Sequence, residues 1–141
     1  MKWNRKRSKF RSGFEDKVAK DLTERNIPYE FETVRLQYTK LSCPHCGGIA
    51  DTGTYTPDFI FQRASRVRLI LECKGYFDST DRNKLQRVKR DNPKEDIRLL
   101  FQRDQPIRKG SKTLYSGWAI KNGFPWATGT SVPDEWLKGT K

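Results

Sequence analysis

The 141-residue chain carries 29 Lys and Arg against 17 Asp and Glu, for a formal net charge of +12, and its length predicts one domain with a single core. Apolar residues make up only 34% of it, and no run of about 18 of them could form a transmembrane helix. No apolar stretch follows the basic start MKWNRKRSKF, so no secretory signal is expected, and three cysteines predict a reduced protein without a disulfide framework. With 12% aromatic residues the domain should fold, and its charge favours a polyanionic partner.

The first residues predict a basic arm followed by a helix. Residues 1–11 contain six Lys or Arg and no acid, which indicates a flexible segment. It is either a solubilising tail or, as the overall charge favours, an arm that contacts phosphates. Ser12 and Glu15 then have the spacing of a capping box, and apolar residues recur with helical spacing as far as Leu22.

The order of the predicted elements indicates a mixed α/β fold without internal repeats. After the first helix, a long strand is predicted at residues 29–38, a loop containing CPHCGG at residues 39–54 and a second strand at residues 55–61. The remaining elements are a strand at 66–74, a helix at 80–92, a strand at 97–101, a helix at 113–122 and a terminal turn at 133–137.

One group of charged residues has a pattern that suits catalysis. Asp58 follows Pro57, and fourteen residues later an apolar strand carries Glu72 and Lys74, which project from one face about 6–7 Å apart. A carboxylate and an ammonium on an apolar strand are costly to desolvate unless a charged group lies between them. Two carboxylates and a backbone carbonyl suit Mg²⁺, which keeps several waters. Lys74 would orient or help to deprotonate a metal-bound water, or neutralise the attacked phosphate.

The alternative for this group is a surface salt bridge between Glu72 and Lys74 on an edge strand. Such a pair arises by chance in a chain that is 33% charged. The preceding Pro-Asp, the apolar strand and the charge of +12 occur together, however, and a metal site that cuts a phosphodiester accounts for all three.

Four stretches of the chain match one known family in collinear order. They are FRSGFEDKV at residues 10–18, YTPDF at 55–59, ECKG at 72–75 and VPDEWL at 132–137. Together they resemble the endonuclease I family of T-odd bacteriophages, which are Holliday-junction-resolving nucleases of the PD-(D/E)xK superfamily. The resemblance covers residues 10–138. It implies a restriction-endonuclease-like core, with residues 12–141 as one nuclease domain in a domain-swapped homodimer.

The resemblance also implies composite active sites, in which a helix glutamate from one chain joins the Asp, Glu and Lys of the other. By position, Asp58, Glu72 and the Cys73 carbonyl would bind Mg²⁺, for which Mn²⁺ could substitute. Lys74 would be the motif lysine, and Glu15 would serve a second metal.

Two of the implied acids have structural alternatives. Glu15 could instead complete the capping box of its own helix, although the resemblance favours the site. Glu30 matches another family acid but could equally be a solvated strand residue.

Two metal ions about 4 Å apart would stabilise the attacking water and the leaving 3′-oxygen, leaving a 5′-phosphate. A two-fold dimer would place two nicks symmetrically across a junction. Junction shape would supply selectivity through phosphate contacts, unless the basic side chains of the second helix form an ordinary solvated face. The expected DNA contacts are Lys6, Arg7, Lys9 and Arg11 in the arm, and Arg82, Lys84, Arg87, Lys89 and Arg90 in the helix.

The loop from Cys43 to Gly48 has no counterpart in the resemblance. Its C-x-x-C followed by two glycines is typical of one zinc-ribbon knuckle, but a full site needs four ligands and no second C-x-x-C exists. In the family this segment lies near the two-fold axis, so two loops could pool Cys43 and Cys46 into one Cys₄ zinc site. The alternative is reduced thiols in an ordinary turn.

The sequence therefore predicts an Mg²⁺-dependent endodeoxyribonuclease that resolves four-way and other branched DNA junctions as a homodimer. Phage recombination in the bacterial cytoplasm is the setting that the resemblance implies. One alternative is another PD-(D/E)xK endonuclease, restriction-like or transposase-associated. The other is a non-catalytic, basic DNA-binding module built around a zinc knuckle.

Overall fold

The structure is a computed structural model that describes residues 13–65 and 67–140; the predicted basic arm lies outside these residues. No helix of the described part is long and apolar enough to cross a bilayer. The elements in chain order are α1 (Gly13–Glu24), β1 (Glu30–Phe31), β2 (Leu36–Ser42), β3 (Ile49–Tyr55), β4 (Phe59–Phe61), β5 (Leu69–Lys74), α2 (Ser79–Asp91), β6 (Asp96–Phe101), α3 (Tyr115–Lys121), β7 (Trp126–Thr128) and α4 (Asp134–Leu137).

A five-stranded mixed sheet in the order β1-β4-β5-β6-β7 forms the centre of the fold. Strand β5 pairs antiparallel with β4 and parallel with β6. Its alternation is confirmed, because Ile70 belongs to one hydrophobic cluster and Leu69, Leu71 and Cys73 to the other. The mixed α/β fold predicted from the sequence is therefore correct, and β5 is an inner strand with both faces covered.

The helices cover the two faces of this sheet. Helices α1 and α4 contribute to the cluster that contains Leu71, whereas α2 and α3 contribute to the cluster that contains Ile70. Burial of these apolar faces, rather than intrinsic helix propensity, supplies most of the stability of such short helices. The arrangement leaves one end of β5 between α1 and α2.

Both longer helices begin or end at residues that satisfy their backbone groups. The side chain of Asp78 accepts a hydrogen bond from the Asp81 amide at 2.8 Å and so caps α2. Helix α1 ends where Asn26 adopts a φ of +57° and the Ile27 amide donates to the Leu22 carbonyl at 2.9 Å. An asparagine tolerates this left-handed conformation better than most residues.

The prediction of one long strand at residues 29–38 is wrong. Glu32 has a φ of +54°, which turns the chain between β1 and β2. The two strands therefore belong to different sheets, since β1 pairs with β4 and β2 pairs with β3.

The prediction of a loop at residues 39–54 is also wrong, because β2 and β3 form a two-stranded hairpin. Residues 40–42 and 51–52 of this hairpin are exposed, so the part of each strand next to the turn lacks the apolar alternation that identifies a half-buried strand. The predicted strand at residues 55–61 divides around Pro57 into the end of β3 and the short strand β4. Strand β7 was not predicted from the sequence.

Candidate active site

One cavity of about 240 Å³ gathers the charged residues that the sequence singles out. It opens where β5, the bend before β4, helix α1 and the start of α2 meet. We call it the acidic cavity. Its lining residues are Glu15, Tyr55, Thr56, Asp58, Glu72, Lys74, Asp81, Lys84 and Leu85.

Asp58 lies in the bend that follows Pro57 and is only 6% exposed. Its Oδ2 accepts a hydrogen bond from the Cys73 amide at 2.8 Å, which ties the bend to β5. Burial raises the pKa of Asp58 to about 9, and the neighbouring Glu72 charge adds to the rise. This carboxyl therefore lies where a negative charge is unfavourable in the absence of a cation.

Glu72 projects from β5 into the same cavity and is 5% exposed. Its Oε2 accepts a hydrogen bond from the Tyr55 hydroxyl at 2.5 Å, and its Oε1 lies 3.3 Å from the Lys74 ammonium nitrogen. Burial raises the pKa of Glu72, while Lys74 and the Tyr55 hydroxyl oppose this rise. A hydroxyl donor and a cation thus fix the orientation of this carboxylate.

Lys74 bridges two acids of the cavity, because its Nζ lies 3.3 Å from Glu72 and 3.4 Å from Asp81. Burial by itself would lower the pKa of Lys74, but the charges of Glu72, Asp81 and Asp58 outweigh it and raise the pKa. The side chain is therefore a charged ammonium near neutral pH. The Glu72–Lys74 salt bridge does exist, but on an inner strand and not on the exposed edge strand of the alternative interpretation.

Glu15 reaches the acidic cavity from α1 and is 7% exposed. Its charge contributes to the raised pKa of Asp58, so the two carboxylates act on one another. The resemblance implied that this glutamate comes from a partner chain; within the single chain, α1 places its own Glu15 there. The capping-box alternative depends on Ser12, which lies outside the described residues.

Tyr55 and Asp81 also line the cavity and were not predicted from the sequence, and Lys84, which was predicted only as a DNA contact, lines it as well. Burial and the Glu72 charge raise the pKa of Tyr55, so that its hydroxyl stays a donor. The ammonium of Lys84 lies 5.7 Å from the centroid of the Tyr55 ring, within cation–π range. Two features of the sequence could have indicated these residues. Tyr55 directly precedes Thr-Pro-Asp, and Asp81 and Lys84 are three residues apart in the first turns of α2, so their side chains lie on the same face of the helix.

Glu30 does not line the acidic cavity. It is an exposed residue of β1, where its Oε2 accepts a hydrogen bond from the Gln62 amide at 3.0 Å. This position agrees with the alternative of a solvated strand residue.

The basic side chains of α2 divide into two groups. Arg82 donates to the carbonyls of Phe77 at 2.7 Å and Ile107 at 3.2 Å, and so holds a loop in place. In the same way, Lys89 donates a hydrogen bond to the Gly123 carbonyl, and Arg90 donates one to the Thr39 carbonyl. By contrast Lys84 borders the cavity and Arg87 is exposed. The four predicted contacts of the arm lie outside the described residues.

The acids of the cavity suit a cation that takes few protein ligands. Within residues 13–65 and 67–140, no group of three or more His, Cys, Asp or Glu side chains could hold a metal ion. A cation here would therefore be held by Asp58 and Glu72 together with water or main-chain oxygens, which is how Mg²⁺ is commonly bound. The buried, mutually repelling carboxylates are groups whose charge such an ion would balance.

Cys43 and Cys46 lie apart from these acids, in the turn between β2 and β3. Both are free thiols, Cys43 half-buried and Cys46 exposed. Hydrogen bonds from the backbone of Cys46, then from its thiol and from the backbone of His45, lower the pKa of Cys43. Cys73 is buried on the face of β5 opposite Glu72, as predicted.

Comparison with known proteins finds one family and two similar relatives. The model of the family described as phage endonuclease I matches residues 1–141. Endonuclease I of Escherichia phage T7 is 35% identical over 138 residues, which are 97% of this chain and 84% of the relative. Endodeoxyribonuclease 1 of Enterobacteria phage T3 is 36% identical over 119 residues, which are 84% of this chain and 70% of the relative.

Proposed function

Because this chain belongs to the phage endonuclease I family, and is thus an endonuclease, we propose that it hydrolyses DNA at four-way and other branched junctions with a divalent cation. The observation that carries the proposal is the acidic cavity. It joins Asp58, Glu72 and Lys74 with Glu15 in one buried place, and such perturbed, clustered acids are typical of catalytic sites. We further propose that the sheet is a PD-(D/E)xK core.

Asp58 and Glu72 would hold the cation, with the Cys73 carbonyl as a further ligand. Because the Cys73 amide and the Tyr55 hydroxyl each occupy one carboxylate oxygen, both side chains have a fixed orientation before an ion binds. Mg²⁺, or Mn²⁺ in its place, would activate water and balance charge on the phosphate. Glu15 would serve a second ion at the side of the cavity that faces α1.

The state of Lys74 limits its part in the reaction. Its acid neighbours raise its pKa, so the ammonium cannot readily accept a proton from water. Of the roles predicted for Lys74, orientation of the nucleophile and neutralisation of the phosphate are therefore favoured over proton abstraction.

We propose that the active form is a domain-swapped homodimer. In such a dimer, α1 of one chain would pack against β5 of the partner chain, in the position where α1 packs against β5 of its own chain in this structure. Each cavity would therefore still contain one Glu15. Two cavities related by a two-fold axis would make two symmetric nicks.

DNA would bind to the cavity mouth mainly through phosphates. Lys84, which lines the cavity, and the exposed Arg87 would make this contact from α2, and Lys6, Arg7, Lys9 and Arg11 of the arm remain predicted contacts. The net charge of +12 supports strong, salt-dependent binding that does not read sequence. The proposed setting is the cytoplasm of a phage-infected bacterium.

The test compares cleavage of a four-way junction with cleavage of a linear duplex made from the same arm sequences. Wild type should cut the junction in Mg²⁺ and bind without cutting in Ca²⁺. Glu72→Gln should bind the junction in Ca²⁺ as wild type does but lose cleavage. Glu135→Gln is the matched control, because Glu135 is exposed on α4, outside the residues that line the cavity, and should cut normally.

Two results would contradict the proposal in different ways. Equal cleavage of junction and duplex would favour a PD-(D/E)xK endonuclease of another kind. Cleavage that is absent from wild type in Mg²⁺ and in Mn²⁺, with binding intact, would favour the non-catalytic DNA-binding module.

A further inference from the structure

The turn of the β2–β3 hairpin holds two thiols that the nuclease chemistry does not use. The Cys43 amide donates to the Gly48 carbonyl at 2.7 Å, and the Gly47 amide donates back to the Cys43 carbonyl at 3.0 Å. Gly47 has a φ of +71°, a conformation that favours glycine. The Cys46 thiol hydrogen-bonds to Cys43, so the turn holds the two sulfurs next to each other, as a pair of zinc-binding cysteines two residues apart requires.

The backbone after Cys46 is shaped around its sulfur. The Gly48 amide donates to Cys46 Sγ at 3.4 Å. A Cβ at position 48 would lie 3.2 Å from that sulfur, closer than most side chains allow, so glycine leaves the space that the sulfur occupies. The turn is therefore arranged to hold two thiolates and to donate hydrogen bonds to them.

One chain cannot complete a structural zinc site, which needs four ligands. The chain has three cysteines and one histidine; Cys73 is buried within the sheet and His45 lies between the two cysteines of the turn. Within the described ranges no group of three or more His, Cys, Asp or Glu could bind a metal. The remaining residues, 1–12, 66 and 141, include none of these residue types. Two ligands must come from elsewhere.

We propose that two copies of this chain pool Cys43 and Cys46 in one tetrahedral Cys₄ zinc site that joins their hairpins. Each thiol releases its proton to solvent as zinc binds. A two-fold contact brings the same turn of both chains together, so a single self-complementary surface supplies all four sulfurs. The groove beside the turn is lined by Lys40 and by Arg90, whose guanidinium is paired with Asp91, so Lys40 is the cation that would offset the excess negative charge of four thiolates around Zn²⁺.

The surface around the turn is suited to a second copy of the chain. Leu41 and Ile49, which flank the cysteines, are 60% and 66% exposed. Residues 44–48 are exposed as well. Contact between two hairpins would cover these apolar side chains next to the metal, in the way that protein interfaces bury an apolar centre within a polar rim.

The first experiment measures the stoichiometry of zinc. The full chain, purified under reducing conditions without a histidine tag, should contain one zinc ion for every two chains by elemental mass spectrometry. After exchange for Co²⁺, the visible bands should indicate a tetrahedral site, and the thiolate-to-cobalt charge transfer should correspond to four thiolates for each metal. Neither reading depends on DNA cleavage, so the result stands apart from the proposed nuclease function.

The second experiment assigns the ligands. Cys43→Ser and Cys46→Ser should each weaken zinc binding by more than the roughly 100-fold that loss of an outer-shell partner can cost. Cys73→Ala is the matched control and should keep the full zinc content. Circular dichroism shows whether each variant is folded.

Wild-type protein without zinc, when purified and when zinc is added, would overturn the proposal. One zinc ion per chain, or a cobalt spectrum of two thiolates, would also overturn it, because the ligands would then not be shared. All three outcomes are measured on wild-type protein and stand even if a variant fails to fold.

Discussion

The acidic cavity and the turn of the β2–β3 hairpin both hold side chains of types that can bind metals, but the surroundings of the two places are opposite. Asp58 and Glu72 are buried, and inner strand β5 anchors both of them. Cys43 and Cys46 lie in the turn at the end of the hairpin, Cys43 half-buried and Cys46 exposed, and would form half of the proposed zinc site. Because of this difference, we expect substitutions in the cavity to alter catalysis and local electrostatics, and substitutions in the turn to alter the association of two chains. The predictions below test that division.

The largest effect is expected from Asp58→Asn. Loss of one cation ligand should lower kcat for junction cleavage by at least about 10²–10³-fold. The amide oxygen can still accept from the Cys73 amide, and the variant removes a carboxyl whose charge is unfavourable when buried. We therefore expect unchanged or higher thermal stability together with lost cleavage. A variant that is both inactive and unfolded would contradict this, as scanning calorimetry would show.

A second prediction concerns pH in the absence of divalent cations. The pKa of Asp58 is about 9 in the folded chain, against about 3.9 when unfolded, so between these values the folded state binds more protons. The free energy of unfolding should then decrease as pH rises from about 4 to 9. Because Asp58 and Glu72 titrate together, the decrease belongs to the pair.

This pH trend has two controls. Added Mg²⁺ should flatten it, and Asp58→Asn should make it shallower, with shifts in Tm of several degrees. A Tm that rises with pH over this range in metal-free buffer would contradict the raised pKa values of the two buried carboxyls.

Tyr55→Phe should have an intermediate effect, because it removes the hydroxyl that orients Glu72 but leaves the carboxylate itself. We expect kcat to fall about tenfold, equivalent to about 1.4 kcal/mol, with junction affinity in Ca²⁺ unchanged. The concentration of Mg²⁺ needed for half-maximal rate should rise, which a purely structural role would not cause. Tyr38→Phe, at a buried hairpin tyrosine outside the residues that line the cavity, is the matched control.

The smallest effects separate two arginines of α2. Arg82→Ala should lower the free energy of unfolding by about 1–3 kcal/mol, since the carbonyls of Phe77 and Ile107 lose a charged donor. Arg87→Ala should leave stability within about 0.5 kcal/mol but weaken junction binding a few-fold and reduce its salt dependence by about one ion. Denaturant titration and binding at several salt concentrations distinguish them; the reverse pattern would contradict the assignment.

Residues with strong local patterns were predicted well. The alternation along β5 placed Glu72 and Lys74 on one face and Cys73 on the other, and the apolar spacing of α1 and α2 identified both helices. Their environments were not predictable in the same way. The salt bridge of Glu72 with Lys74 could be assigned to an edge or an inner strand only once β5 was seen between β4 and β6.

The hairpin shows where local pattern fails. The parts of strands β2 and β3 next to the turn are solvated, so no apolar alternation marked them. The positive φ of Glu32 turns the chain, so that the predicted single strand contributes to two different sheets. The prediction for the basic side chains of helix α2 failed for a different reason. The sequence shows five basic residues of one charge pattern, but Arg82, Lys89 and Arg90 donate hydrogen bonds to backbone carbonyls, and charge alone does not reveal these bonds.

The sequence by itself determined the family, the mixed α/β class and which acids and amine belong to one motif, because these follow from short-range spacing and from residue identity. Only the tertiary structure decided that Tyr55 and Asp81 join the cavity, that Glu30 does not line it and that Lys74 is held as a cation. The reason is that burial and charge interactions depend on distances between segments far apart in the chain, and packing of the sheet against its helices determines those distances.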